Sequence, residues 1–323
     1  MPRTTLLLAA AVLASLGTLP APPARAAAPK TLTVFAAGTL AVPFRAASAA
    51  FEKQNPGVTV EAEFGGSVKM ARQITDLHRT ADVIAVADYS VIPKYLFGGN
   101  GKEAYASWYA GFARNAITFV YTDKSKFAAK VTPKNWYEVL ARKGVEIGRS
   151  NPDTDPSGYQ TLQMLDLAQQ FYHRPGLASA ILANAPATNM RDTETSLLSA
   201  LQLGQIDYLA IYRSDALQHH LHFIALPPEI DLGDPVHAPA YAKAIAHTKN
   251  GDLKGRPIVY AITIPSVAKE PQWAARYIAF LLGPDGQKIL AANGFGTVHP
   301  AYAVGVEKMP ADLQKLVTPW PPA

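Results

Sequence analysis

Strand and helix patterns alternate between residues 32 and 87, and that alternation leaves few folds open. A short β-type run, Leu32 to Phe35, ends at Ala36-Ala37-Gly38-Thr39. Leu40, Phe44, Ala47 and Phe51 then follow at helical spacing and stop before the turn signal Asn55-Pro56-Gly57. Val58 to Phe64 alternates apolar and polar residues, as a half-buried strand does. Gly65-Gly66-Ser67 opens a second helix through Met70, Ile74 and Leu77, and Asp82 to Ala87 reads as a buried strand. Such an order predicts a parallel α/β sheet.

A second set begins at Ile117 to Tyr121. It continues with a strand at Val145 to Gly148, helices from Ser157 to Tyr172 and from Glu194 to Leu203, and a strand at Asp207 to Tyr212. A Pro-rich extended stretch, Leu226 to Pro239, leads to a strand at Pro257 to Pro265, and the helix Pro271 to Leu282 closes the expected fold. One unit, a second unit and a return predict two α/β lobes. Each would be a mainly parallel sheet flanked by helices, with a ligand cleft between them. Lobe 1 is expected over residues 30–113 plus about 262–305, and lobe 2 over about 114–261.

The start of the chain predicts export. Arg3, the apolar run Leu6 to Leu16 and Ala24-Arg25-Ala26 have the layout of a secretory signal peptide over residues 1–26. The run falls short of the roughly 20 residues that a membrane span needs. The chain contains no cysteine. That excludes disulfides, thiolate metal sites and cysteine nucleophiles, and also the lipid-modified cysteine that would anchor an exported protein. A freely diffusing periplasmic monomer is expected. Losing Arg3 and Arg25 lowers the formal charge from +5 to +3 without leaving a basic run, which argues against nucleic acid as a partner.

Four helix starts carry small hydroxyl or acidic residues: Gly38-Thr39, Gly66-Ser67, Asp155-Pro156-Ser157-Gly158 and Asp192-Thr193-Glu194. Each taken singly reads as an ordinary N-cap. Together, at the carboxyl ends of strands, they predict a site for a small anion, because open amides and the positive end of the helix dipole gather there. Glycine beside two of them would let a ligand approach the backbone.

Val34 to Leu40 and Phe64-Gly65-Gly66-Ser67 resemble the anion loops of periplasmic molybdate-binding proteins. Asn151 to Tyr159 (NPDTDPSGY) resembles the archaeal-type tungstate/molybdate-binding branch more closely. So do Glu194 to Leu203, Ile206-Asp207-Tyr208, Ile211-Tyr212-Arg213-Ser214, Gln218-His219 and Leu226 to Ile230, so that the likeness runs to about Pro300. It implies a type II periplasmic binding protein that delivers molybdate or tungstate to an ABC permease and its ATPase, with no cofactor and no catalysis. By matching position it implies that Gly38, Thr39 and Ser67 bind oxyanion oxygens, and that Asp155, Pro156 and Ser157 form a third contact. Glu194 would supply a second carboxylate, and Tyr212 would cap the site. The family usually has Ser at the position of Thr39 and often Cys at that of Ser157. The stretch from Asn184 to Arg191 is shorter than in many relatives.

Carboxylates facing an oxyanion pay like-charge repulsion and desolvation. Molybdenum and tungsten can expand from four to six oxygen ligands, which sulfur in sulfate cannot, and the resemblance implies that Asp155 and Glu194 act as the added oxygen donors to the metal centre of the anion. Other readings stay open at this point: a carrier of sulfate, phosphate or ferric iron, or a periplasmic hydrolase using the two carboxylates as an acid/base pair. The chain lacks the G-x-S-x-G, H-E-x-x-H, Walker and G-x-G-x-x-G motifs. His219-His220-Leu221-His222 offers metal-ligand residue types with no acidic or His partner nearby in sequence.

Overall fold

The computed structural model describes residues 30–99 and 101–320; the expected signal peptide, residues 1–26, lies outside the described residues. The chain opens with β1 (Lys30–Ala37), α1 (Ala41–Gln54), β2 (Val58–Gly65), α2 (Ser67–Thr75), β3 (Val83–Val86) and α3 (Val91–Leu96). β3 is buried along its whole length, whereas β2 alternates, because β2 lies at the sheet edge. Between α1 and β2, Gly57 takes φ 91°, a left-handed turn that glycine adopts without a Cβ penalty.

β4 (Tyr109–Arg114) completes this passage and β5 (Ile117–Tyr121) starts a second sheet. The second set runs α4 (Trp136–Leu140), β6 (Ile147–Ser150), α5 (Pro156–Phe171), α6 (Leu177–Ala183), β7 (Met190–Arg191), α7 (Leu198–Gln202), β8 (Tyr208–Tyr212), α8 (Arg213–Gln218) and β9 (His222–Phe223). After α9 (Ala238–Tyr241), the hairpin β10 (Ile245–Thr248) and β11 (Gly251–Lys254) packs on α5. The chain then returns through β12 (Val259–Thr263) to α10 (Pro271–Leu282), α11 (Pro284–Ala292), β13 (Gly296–Val304), α12 (Ala311–Gln314) and β14 (Val317–Pro319).

The first sheet has the order β14-β13-β4-β12-β3-β1-β2, and the second β7-β6-β8-β5-β9. Both are mixed, where the sequence led us to expect mainly parallel sheets. β1 runs parallel to β2 and β3, and β6 parallel to β7 and β8. β12 is antiparallel to β3 and β4, and β5 is antiparallel to β8 and β9. The reason is the path of the chain: β4 carries it out of the first lobe and β12 brings it back, so the two neighbours must run in opposite directions. A second difference lies at the end. The helix Pro271 to Leu282 does not close the fold, since β13 adds to the first sheet beside β4 and β14 beyond it.

Phe44, Phe51 and Tyr277 join α1 to α10 in the first lobe, with the Phe51 and Tyr277 rings 5.2 Å apart and edge-on. Phe119 and Trp136 fill the second lobe. Burial of such apolar side chains contributes about 1.5–3 kcal/mol each and holds together the lobes on which the site is mounted. Among the described residues, no helix is long and apolar enough to cross a membrane.

Candidate ligand site between the lobes

The loops after β1 and β2 meet the loops before α5 and after β7 across the interlobe cleft. A Cβ added at Gly66 would run into Thr154 O, lie 2.9 Å from Asp192 O and 3.1 Å from the Cβ of Asp155. One added at Gly38 would lie 3.0 Å from Thr195 Oγ1. Gly66 has φ −58° and ψ 133°, which any residue tolerates, so what demands glycine here is the approach of the opposite lobe. The lobes are therefore closed on one another. Lys69 N donates to Thr154 O at 3.3 Å, Lys69 Nζ pairs with Asp192 at 2.7 Å, and Tyr159 Oη donates to Asp88 Oδ2 at 2.7 Å, all from one lobe to the other.

The hydroxyls and acids at the helix starts make no capping hydrogen bonds, even where they occupy the N-cap position. The N-cap positions of the 3-10 turn Gly38–Leu40, of α2, of α5 and of the 3-10 turn Glu194–Leu197 are Ala37, Gly66, Asp155 and Thr193, and none makes a side-chain cap bond. Thr39, Ser67, Ser157 and Glu194 sit inside the first turns with their side chains turned to the cleft or its walls. Pro156 at the start of α5 has no N–H to donate; its fixed φ sets the direction of the helix.

Ser157 is the hub on the second lobe. Its Oγ lies 2.7 Å from Asp155 Oδ2, 2.9 Å from Glu194 Oε2 and 2.5 Å from Ser150 Oγ. A hydroxyl has one proton to give, so it cannot serve both carboxyls as a donor, and one of the pair must bring a proton of its own. Burial pushes the Glu194 carboxyl well above the usual range, and the neighbouring Asp155 adds to the shift. Asp155 and Glu194 are 3% and 2% exposed, so neither can shed this cost into water.

A third buried carboxyl, Asp215 at the start of α8, was not among the residues the sequence singled out. Its Oδ2 accepts from Thr39 Oγ1 of the first lobe at 2.6 Å, while its Oδ1 is buried without a partner. Burial raises it to about 7; hydrogen bonds from Thr39, its own backbone N–H and Ser214 pull it down, and Asp155 pushes it up. The signal that could have revealed it is an acid three residues beyond the fully buried strand β8, in the same class of turn as Asp155. Ser214 and Asn115 complete this wall: Asn115 Nδ2 donates to Ser214 Oγ at 2.8 Å, and Thr39 Oγ1 lies 3.2 Å from Ser214 Oγ.

Ser67 is fully buried and its Oγ accepts from Ala87 N at 2.9 Å, which leaves its proton for another acceptor. Tyr212 is also fully buried, but its Oη donates to Gln160 Oε1 at 2.7 Å, and the Gln160 Nε2 is left buried and unpartnered. Burial first, then Tyr260 and the carboxyls Asp155 and Glu194, raise the Tyr212 phenol well above its ordinary value. A surface groove of about 500 Å³, lined in part by Gly65, Lys69, Asn151, Asp192 and Thr193, opens beside these loops.

The histidine run has no metal geometry. His222 Nε2 pairs with Asp123 at 3.1 Å on the surface, and among the described residues no three His, Cys, Asp or Glu side chains are grouped to hold an ion.

A family model for bacterial extracellular solute-binding proteins matches residues 32–296. A solute-binding protein of Petrotoga mobilis is 39% identical over 289 residues, covering 88% of each chain. The molybdate/tungstate-binding protein of Thermococcus kodakarensis is 35% identical over 315 residues, covering 89% of this chain and 87% of its own. Among solved structures, the periplasmic molybdate-binding protein of Azotobacter vinelandii has a TM-score of 0.61 at 19% identity, covering 83% of this chain and 99% of that one. The sulfate-binding protein SubI of Mycobacterium tuberculosis has a TM-score of 0.58 at 15% identity, covering 83% and 87%. These two share the two-lobed type II periplasmic binding fold, and at such identity they speak to fold alone. The chain belongs to the bacterial extracellular solute-binding proteins, carriers that serve ABC importers rather than enzymes.

Proposed function

We propose that this protein captures molybdate or tungstate in the periplasm and delivers it to an ABC permease and its ATPase. The observation that carries this reading is the buried pair Asp155 and Glu194, held by one Ser157 hydroxyl opposite the hydroxyl-bearing loops of the other lobe. Two buried carboxyls are a liability in a pocket for sulfate or phosphate, whose central atoms take no further ligands. They are an asset when each can donate an oxygen to molybdenum or tungsten as the anion expands its coordination. The 35% identity to a molybdate/tungstate-binding protein supports the same ligand.

In this reading Asp155 and Glu194 ligate the metal centre of the cargo. Ser67 and Thr39, with the backbone N–H groups at Gly38 and Ser157, donate to its oxygens, while Pro156 lines the site and sets the direction of α5. Tyr212 acts at one remove by fixing Gln160. Residues 1–26 direct export, and hinge closure of the lobes dehydrates the anion.

Calorimetric titration of the mature protein with tungstate, molybdate, sulfate and phosphate tests this directly. Tight binding of the first two, with little heat from the others, is expected. Glu194→Gln should weaken tungstate and molybdate by at least tenfold, the scale of a bond to a charged group at about 1.5–3 kcal/mol. Equal binding of sulfate, or an unchanged affinity in Glu194→Gln, would remove the metal-ligand role.

A further inference from the structure

Two side-chain atoms in this region are buried without partners, and they are complementary. Gln160 Nε2 can only donate, and Asp215 Oδ1 accepts when ionised. Both residues are about 1% exposed, so neither atom has water to fall back on, and an unmade hydrogen bond there carries the full desolvation cost. Each orphan is also held in place. Tyr212 Oη fixes the Gln160 amide through Oε1, and Thr39 Oγ1 fixes Asp215 through Oδ2. Gln160 lies three residues after Ser157 on α5, so the two share a helix face. Asp215 is bonded to Thr39 and Ser214, not to Asp155 or Glu194.

We infer that Gln160 and Asp215 complete the ligand shell of the oxyanion proposed above, Gln160 Nε2 donating to one oxygen while a single proton is shared between Asp215 Oδ1 and another. A ligand that satisfies both orphans must present one bare oxygen and one hydrogen-bearing contact. An oxyanion with one added proton does this, whether that proton rests on the anion or on Asp215. The charge balance asks for the same thing. Asp155 faces this region from the start of α5, Glu194 from the turn after β7, Tyr212 from β8 and Tyr260 from β12; Asn115 and Ser214 stand beside Asp215, and Thr39 faces it from the opposite wall. The carboxyls act on one another, Asp155 and Asp215 both raising Glu194, and Asp155 raising Asp215. A dianion entering among three carboxyls without a proton would meet repulsion with no water to screen it. A proton taken from solvent converts one of those contacts into a short, charge-assisted O–H···O bond. That burial already raises Asp215 to about 7 is consistent with this.

The balance is one proton in: protein, oxyanion and one proton from the buffer form the complex, and release returns all three. Affinity must then fall as pH rises above neutrality, by up to tenfold per unit for one proton. Any change in Asp155 or Glu194 ionisation adds its own protons, so the decisive quantity is a difference between two proteins. Molybdate is titrated at pH 8 into wild type and Asp215→Asn, in buffers of different ionisation enthalpy, which yields the protons taken up on binding. We expect wild type to take up one proton more than Asp215→Asn, and its Kd to rise about tenfold more steeply per pH unit between 7 and 9. Gln160→Ala should weaken binding about tenfold and leave the proton count unchanged. Asp215→Ser, read the same way, serves if the asparagine variant fails to fold. Equal proton counts in wild type and variant, with binding intact, overturn this inference and leave the proposed function standing. Failure of wild type to bind any of the oxyanions overturns the function, and this inference with it.

Discussion

The two walls of the cleft are built from opposite materials. The first lobe contributes glycines and hydroxyls: Gly38, Thr39, Gly66 and Ser67, none of them charged. The second contributes carboxyls, Asp155, Glu194 and Asp215, all buried. A wall of backbone and hydroxyls can come very close to its partner, because no side chain stands in the way at Gly38 or Gly66. A wall of buried acids is strained when the cleft is empty and is relieved only by a partner that accepts oxygen donors or brings a proton. In the proposed function, the first wall would suit any small oxyanion and the second would discriminate among them.

The largest effect should come from breaking the close approach. Gly66→Val keeps an accessible backbone conformation but drives a side chain into Thr154 O and Asp192 O, so the lobes cannot close. Loss of tungstate affinity by more than about a hundredfold is expected, roughly 2.7 kcal/mol, with the thermal midpoint of the ligand-free protein little changed. Retained affinity would show that this close approach does not matter for binding.

Ser67→Ala sharpens the contrast between the walls. It removes a donor to oxygen, so every oxyanion that binds should lose about tenfold, tungstate and sulfate alike, whereas Glu194→Gln should penalise only the metal oxyanions. It also leaves Ala87 N without its acceptor, which should lower unfolding stability by about 1–3 kcal/mol in chemical denaturation. A selective loss of tungstate binding in Ser67→Ala would erase the distinction drawn here.

The smallest effect should come from the rim. Lys69 and Asp192 pair across the cleft at 2.7 Å, but their side chains are 46% and 54% exposed. Exposed pairs contribute about 0–1 kcal/mol, so Lys69→Ala should change affinity less than about fivefold, and less still at high salt. A larger loss would mean that the rim, and not the buried walls, holds the closed state.

The glycine turns, the helical spacing of Leu40, Phe44 and Phe51 and the buried run Asp82 to Ala87 are local signals, and they made the α/β class legible from the sequence. So was the cluster of Asp155, Ser157 and Glu194, through motif order. What local pattern could not carry is anything that depends on strands meeting from distant parts of the chain. The antiparallel neighbours β4 and β12 are mixed into the sheet because the chain must leave and return, and β13 and β14 attach far beyond the last helix that periodicity had marked. The same limit hid Asp215, whose importance comes from Thr39, 176 positions away, and from burial beside carboxyls on other elements. It also hid the orphaned amide of Gln160, which in sequence is one polar residue on a helix. Sequence by itself determined the α/β class and the main strands and helices up to Leu282, and it marked Asp155, Ser157 and Glu194 as oxygen-bearing residues, since these follow from local sterics and side-chain type. Only the tertiary structure decided which acids share one water-poor space, because desolvation and mutual repulsion exist only once the two lobes have closed around them.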